Sequence, residues 1–293
     1  MLVTQCHKQR RGNDFAMARK VDPHRPDQMW WPELGLRKRH AFDYYDAIAR
    51  VLLPHLRDRP FTLKQHYNGP RSPFRWIKDK PPEAPEWIRT TPQPAKSRGG
   101  AVVEYVLVND RATLLWLVDY GCVDLHVWTA RADRPDRPDF VLLDLDPKGA
   151  PFTEVARAAL LVREMLDALG LESYPLTTGG DGIHVRVPVA RRHTTYEDAR
   201  DFARVVESTL ARVGPRGVKL DVKMNGHGQQ VVAPYSIRPV RQASVATPLE
   251  WDEVSDDLDP AAFGPATVLE RVERRGDLLA PLLRGRQTLA AAV

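Results

Sequence analysis

The stretch DFVLLDLDP, Asp139 to Pro147, decides the reading of the fold. A run of Val and Leu bounded by proline predicts a buried or half-buried strand. Side chains alternate along a strand, so Asp144 and Asp146 point one way and Leu143 and Leu145 the other. Two like charges that close repel unless a cation lies between them. A divalent metal with oxygen ligands is the obvious candidate.

Working outward, three more strands share this design. In GVKLDVKM, Val218, Leu220, Val222 and Met224 take one face, and Lys219, Asp221 and Lys223 the other. In IHVRVPV, Ile183, Val185 and Val187 oppose His184 and Arg186. DLHVW sets His126 and Trp128 against Leu125 and Val127. If the four pair in one sheet, their apolar faces pack on helices and their polar faces form an open floor. That floor would hold three carboxylates, two histidines and an arginine. Three carboxylates suit two Mg²⁺ or Mn²⁺ ions about 4 Å apart, as used in phosphoryl and nucleotidyl transfer, and histidine and arginine beside them suit a triphosphate.

The rest of the pattern mixes helices and strands without even alternation, which predicts an α+β class. RKRHAFDYYDAIARVLLPHL places Phe42, Tyr45, Ile48 and Leu52 at helical spacing, with Pro54 as its stop. PFTLKQHY and VVEYVLVND read as strands, and residues 67 to 100 as loops. Asp110 caps a helix that Gly121 stops, and a further helix runs from Thr153 to Leu169. SYPLTTGGDGIHVRVPV reads as strand, glycine turn and strand. Thr195 and Asp198 form a capping-box variant for the next helix. QQVVAPYSIRPV is another strand, and two helices follow Pro260. The expected organisation is a basic arm over 1–25 (Lys8, Arg10, Arg11, Arg19, Lys20), a catalytic domain over 26–260, and a helical tail over 261–293 packed on it.

The net charge of +5 favours an anionic partner, nucleic acid being the usual one. Cys6 and Cys122 match no metal spacing and read as free thiols of a reducing, cytoplasmic compartment. No apolar stretch approaches the roughly 18 residues of a membrane span, and the N-terminus has no signal-peptide core. Each motif alone has a plainer reading. A D-x-D is often a surface turn, Asp221 can pair with Lys219 or Lys223, and a lone histidine is usually structural. TTGGDG lacks the G-K-[ST] ending of a Walker A loop.

The order of motifs narrows the choice. D-L-D-P, then T-x-G-G-x-G-I-H-V, a strand aspartate, VVAPYSIRP and VATPLEW resemble the polymerase domain of bacterial ligase D, of the archaeo-eukaryotic primase superfamily. The likeness runs from about Trp30 to Glu253, with FDYYDAIARVLLPHLRDRPFTLK and LLWLVDYGCVDLHVW in register. It implies a primase-like fold, a mixed or antiparallel central sheet packed by helices, with an open catalytic face. It implies template-directed polymerase activity in non-homologous end joining, with NTP or dNTP substrates and ribonucleotides preferred. Asp144, Asp146 and Asp221 would hold two Mn²⁺ or Mg²⁺ ions. Lys64, His126, Thr178, His184 and Arg238 would contact the nucleotide. Lys38 would grip a 5′-phosphate, and Trp76 would stack on the template. The implied partners are primer–template, gapped or broken-end DNA, Ku and a separate ATP-dependent DNA ligase, bound by a monomer. Two departures stand out: Asp181 where the family commonly has lysine, and Gln28 where a second phosphate-binding lysine is usual. Rival readings are a catalytically weakened module that bridges DNA ends and a metal-dependent nuclease.

Overall fold

Residues 19–95 and 98–289 are described by a computed structural model. Lys8, Arg10 and Arg11 of the expected arm lie outside the described residues. Further along that arm Val21 already packs on the core, and His24 bonds Asp119.

In chain order the elements are β1 (Met29–Trp31), β2 (Leu36–Arg37), α1 (Lys38–Leu56), β3 (Pro60–His66), β4 (Phe74–Ile77), β5 (Thr90–Pro94), β6 (Val102–Leu107), α2 (Arg111–Asp119), β7 (His126–Trp128) and β8 (Phe140–Pro147). There follow α3 (Phe152–Ala168), β9 (Tyr174–Thr177), β10 (Ile183–Pro188), α4 (Tyr196–Val213), β11 (Val218–Leu220), β12 (Gln230–Val232) and α5 (Pro265–Arg275). The class is α+β, and every strand pairing described is antiparallel.

The predicted caps are in place. The Asp110 carboxylate accepts the Thr113 N–H, and Thr195 and Asp198 bond reciprocally at the start of α4. Pro54 does not stop α1, which continues to Leu56. Proline removes the bond to the Arg50 carbonyl alone, Arg50 is exposed to water, and Arg57 still donates to Leu53 at 2.9 Å. The second tail helix is only a 3-10 turn, Ala280–Arg284, and two strands, β4 and β5, occupy the stretch expected to be loop.

The four motif strands do not share one sheet. A four-stranded sheet runs β11-β8-β10-β9, and a six-stranded sheet runs β12-β7-β3-β6-β5 with β4 beside β3. Both edges of β7 are taken, by β12 and β3, so His126 cannot sit on the same sheet as the aspartates. α3 and α4 cover one face of the smaller sheet, burying Val141, Leu143, Leu145, Val155, Val185 and Phe202. α1 and α2 cover the larger sheet over Tyr45, Ile48, Leu52, Phe61, Leu63 and Val127. The opposite face of β8 is open only at its far end. Phe140 and Leu142 on that face pack with Val231 and Leu282. α5 lies against α1 through Val268, Leu269 and Val272. Among the described residues no helix is long and apolar enough to cross a membrane.

Candidate active site

β8 is the middle of three strands that converge on one spot. Asp144 lies in register with His184 of β10. The β11 pairing sets Lys219 opposite Asp146, which brings Asp221 opposite Asp144, and the Asp221 N–H donates to the Asp144 carbonyl at 2.8 Å. Directly opposed residues of an antiparallel pair point to the same face. His184, Asp144 and Asp221 therefore form one row across the sheet, with Asp146 the next residue on that face. β11 ends at Leu220, and Asp221 caps a 3-10 turn, Val222–Met224, its carboxylate accepting the Lys223 N–H at 3.0 Å.

The electrostatics of the row differ residue by residue. Asp144 is buried, 3.1 Å from His184 Nε2. Burial works against its charge, but His184, Arg238 and Lys148 hold its carboxyl below the usual range. Asp146 is pushed up by burial and by the negative charge of Asp144, with Asp181 adding to the effect. Such a pair is unfavourable by itself and gains from a cation between its members.

Thr178 and the glycines form the rim. The Thr178 hydroxyl accepts N–H bonds from Gly180 at 3.2 Å and Gly182 at 3.3 Å, and its own N–H donates to the Gly182 carbonyl at 3.0 Å. Gly182 passes so close to β8 that a Cβ would lie 2.9 Å from the Leu145 carbonyl oxygen and 3.1 Å from Asp146 Oδ1. Gly179, at φ +71°, leaves no room for a Cβ beside Arg238 Cγ. Arg238 itself is fixed by its N–H bond to the Ser244 carbonyl, 2.8 Å.

Lys64, His126 and Arg238 meet at a residue the sequence reading missed. Asp124 is fully buried and lies 2.6 Å from Lys64 Nζ, 3.0 Å from His126 Nε2 and 3.3 Å from Arg238 Nε. Burial opposes its charge, yet His126, Arg238 and Lys64 hold its carboxyl far below the ordinary value. The available signal was the D-x-H spacing, which in extended chain puts both side chains on one face.

Trp76 is not in a loop. It lies on β4 opposite Lys64, and its ring meets His126 edge-to-face with centroids 5.0 Å apart. Phe74 and Trp76 are each 48% exposed and flank the Lys64 ammonium. Trp76, His126, Thr62, Gln230 and Lys78 line a cavity of about 630 Å³.

Two expected contributors are displaced. Arg186 is buried, donates to the Val232 carbonyl at 2.8 Å and lies over the Phe140 ring, so it cannot serve the glycine rim. Lys38 offers no free ammonium for a phosphate. It is buried, with Asp119 Oδ1 at 2.6 Å and the Asp119 carbonyl at 2.8 Å. Its neighbours Arg37 and Arg39 pair with Asp27.

The donor set fits a hard divalent ion in chemistry: carboxylate oxygens on adjoining strands, with Asp144 Oδ1 buried and lacking a hydrogen-bond partner. As the side chains stand, no group of three His, Cys, Asp or Glu among the described residues forms a ready cage, and Asp221 Oδ1 accepts the Lys223 N–H.

Comparison with known proteins decides the family. The sequence profile of the LigD primase-polymerase domain matches residues 37–279. The chain belongs to the LigD primase-polymerase family. It is thus an enzyme domain of the nucleotidyltransferase class with the primase-like fold. It is 33% identical over 273 residues to the multifunctional non-homologous end joining protein LigD of Mycolicibacterium smegmatis, covering 88% of this chain and 35% of that protein. It is 29% identical to the bifunctional LigD of Bacillus subtilis, covering 82% of this chain and 40% of that protein. The chain thus spans little more than a third of the length of these relatives. The polymerase domain of Mycobacterium tuberculosis ligase D, solved in complex with DNA, superposes with a TM-score of 0.81 at 26% identity, covering 90% of this chain and 98% of that one.

Proposed function

We propose that this domain adds nucleotides to a primer end on a DNA template, at gaps or broken ends, in repair by non-homologous end joining. The observation that carries the reading is the row His184–Asp144–Asp221 across three strands, with Asp146 beside it. Asp144, Asp146 and Asp221 would hold two Mg²⁺ or Mn²⁺ ions. Such ions activate the attacking hydroxyl and stabilise charge on the phosphates. The chain's own groups bind and orient the substrate. Arg238 and Lys64 supply positive charge to the triphosphate, the His126 ring offers it a hydrogen bond, and the Thr178 hydroxyl supports the rim at which its phosphates would lie. His184 sits against Asp144 and keeps that carboxylate ionised. Phe74 and Trp76 offer rings on which an unpaired template base can stack. Ribonucleotide preference, and partnership with Ku and a separate ligase, rest on the family resemblance alone.

A second reading draws on one observation. Asp181 is exposed and adds negative charge next to Asp146, which favours a weakened enzyme retained for bridging DNA ends. A labelled primer–template, offered Mn²⁺ or Mg²⁺ with each nucleotide type, separates the two. Extension is expected. DNA binding without incorporation favours bridging, and shortening of the primer would point to a nuclease.

A further inference from the structure

Two carboxylates in this molecule, the half-buried Asp139 and the buried Asp124, each face several basic side chains, and they are built differently. Asp139 takes both Arg59 nitrogens, at 2.7 and 2.8 Å, and Arg131 Nε at 3.0 Å, all as aligned hydrogen bonds. That is a closed ion pair. At Asp124, among the described residues, the aligned side-chain bond comes from Lys64, at 2.6 Å. Asp124 Oδ1, His126 Nε2 and Arg238 Nε are near one another and buried, yet none has a hydrogen-bond partner. Buried donors left open beside an excess of positive charge are suited to an anion that arrives later.

We propose that Asp124 is a positioning residue for the nucleotide triphosphate, holding Lys64, His126 and Arg238 together as one preformed receptor. The inference rests on the polymerase reading given above. The three side chains come from β3, β7 and the segment after β12, and Asp124 is where they meet. Its place is fixed from both sides: the next residue, Leu125, donates its N–H to Ser236 Oγ at 2.8 Å, and that hydroxyl, two residues before Arg238, donates to the carbonyl of the preceding residue, Val123, at 3.2 Å. Arg238 in turn lies against Gly179, so the receptor is packed onto the rim that carries Thr178. One carboxylate opposite the Lys64 ammonium and the Arg238 guanidinium leaves net positive charge for a polyphosphate to neutralise, with the His126 ring beside them. Without Asp124 the cations repel one another, and two have room to leave. Lys64 can turn to the Phe74 and Trp76 rings, and the Arg238 side chain is already 22% exposed.

The test is Asp124→Asn in the full chain, read as the Kd for inorganic tripolyphosphate by calorimetry and as KM and kcat for ATP in primer extension. Residues that orient a ligand through another group are typically worth about 10- to 100-fold. The expected result is a Kd and a KM at least about tenfold higher with kcat within about threefold. Unchanged or tighter tripolyphosphate binding would overturn the proposal. If the single variant does not fold, Lys64→Met/Asp124→Asn removes one cation together with its counter-charge. It is expected to bind tripolyphosphate about tenfold more weakly than Lys64→Met alone, and equal binding overturns the proposal. A wild-type chain that binds tripolyphosphate but never extends a primer defeats the polymerase reading and leaves the receptor standing. Normal extension with an unchanged KM in Asp124→Asn does the reverse.

Discussion

The Asp221 N–H donates to the Asp144 carbonyl at 2.8 Å, so a carboxylate from one strand is hung beside the pair on its neighbour. This bond makes the spacing of the three acids a property of the β8–β11 ladder and not of a mobile loop. If these acids hold the metal ions, removing either Asp144 or Asp221 from the row disables the site while the ladder survives. Asp144→Ala and Asp221→Ala are each expected to lower nucleotide incorporation by more than about 100-fold, beyond what loss of a group that merely orients a ligand costs. Circular dichroism and the thermal midpoint should stay near wild type for Asp221→Ala. Full activity in either variant rules out the metal assignment.

Asp181 bears on the same cluster from the rim. Its charge adds to that of Asp144 in pushing the Asp146 carboxyl upward, and Lys148, exposed just after β8, works the other way. Replacing Asp181 by lysine removes one negative charge and adds a positive one. Exposed charges are each worth up to about 1 kcal/mol, so the apparent KM for nucleotide should fall about three- to tenfold at low salt, with the gain shrinking as salt is added. An unchanged KM means that Lys148 and Arg238 already compensate.

The alternation of apolar and polar residues in β8, β10 and the approach to Asp221 was enough to foresee which side chains share a face. That pattern is local, and burial on one side enforces it. Sheet membership was not legible, because strand pairing over long sequence separations leaves no trace in a single strand's pattern. His126 reads the same whether its neighbour is β8 or β3. Asp124 was overlooked for a related reason: an aspartate just before a short strand looks like a turn residue until Lys64 and Arg238, from distant segments, join His126 around it. Arg186 alternates correctly with His184, yet the tail's Leu282 and β12's Val231 close over that end of the face, which β10 alone could not reveal.

Asp139 predicts an acid-sensitive fold. Burial opposes its charge, but Arg59 and Arg131 hold its carboxyl below the ordinary value. A depressed folded value means that its contribution is complete above the unfolded carboxylate value of about 3.9 and is lost as pH falls through the folded one. Asp139→Asn leaves the buried Arg59 and the half-buried Arg131 without a counter-charge, which should cost about 3 kcal/mol at neutral pH. Denaturant midpoints between pH 2 and 6 should fall more steeply for the wild type than for the variant. Parallel curves would show that the pair contributes nothing to acid stability.

Phe74 and Trp76 project from β4 beside the cavity that His126 lines. Stacking of a base on an aromatic ring is worth about 1–3 kcal/mol. Trp76→Ala should therefore weaken binding to a template with a single-stranded overhang by about tenfold, with little change for blunt duplex. Fluorescence anisotropy on the two substrates checks this, and equal losses on both would mean that Trp76 contacts the duplex instead.

Lys38 supplies the last expectation, through the partner that holds it. Its ammonium is bonded to the carboxylate and carbonyl of Asp119 and lies 5.7 Å from the centre of the Trp30 ring. The His24 N–H and Nδ1 also bond the Asp119 carboxylate, at 2.7 and 2.6 Å. A lysine neutralised in this way has little to offer a 5′-phosphate, and Gln28, where a second lysine would be expected, adds no charge. The wild type should therefore fill gaps with and without a 5′-phosphate at rates within about twofold of each other. Asp119→Asn removes the counter-charge and leaves an almost buried ammonium, at a cost of about 3 kcal/mol in stability. A phosphate can then take the vacated role, so the variant should prefer 5′-phosphorylated gaps by about fivefold or more, because charge-assisted bonds to phosphate are strong. Incorporation rates on paired substrates differing only in that phosphate give the answer. A strong phosphate preference already present in the wild type would mean that Lys38 leaves Asp119 when DNA binds.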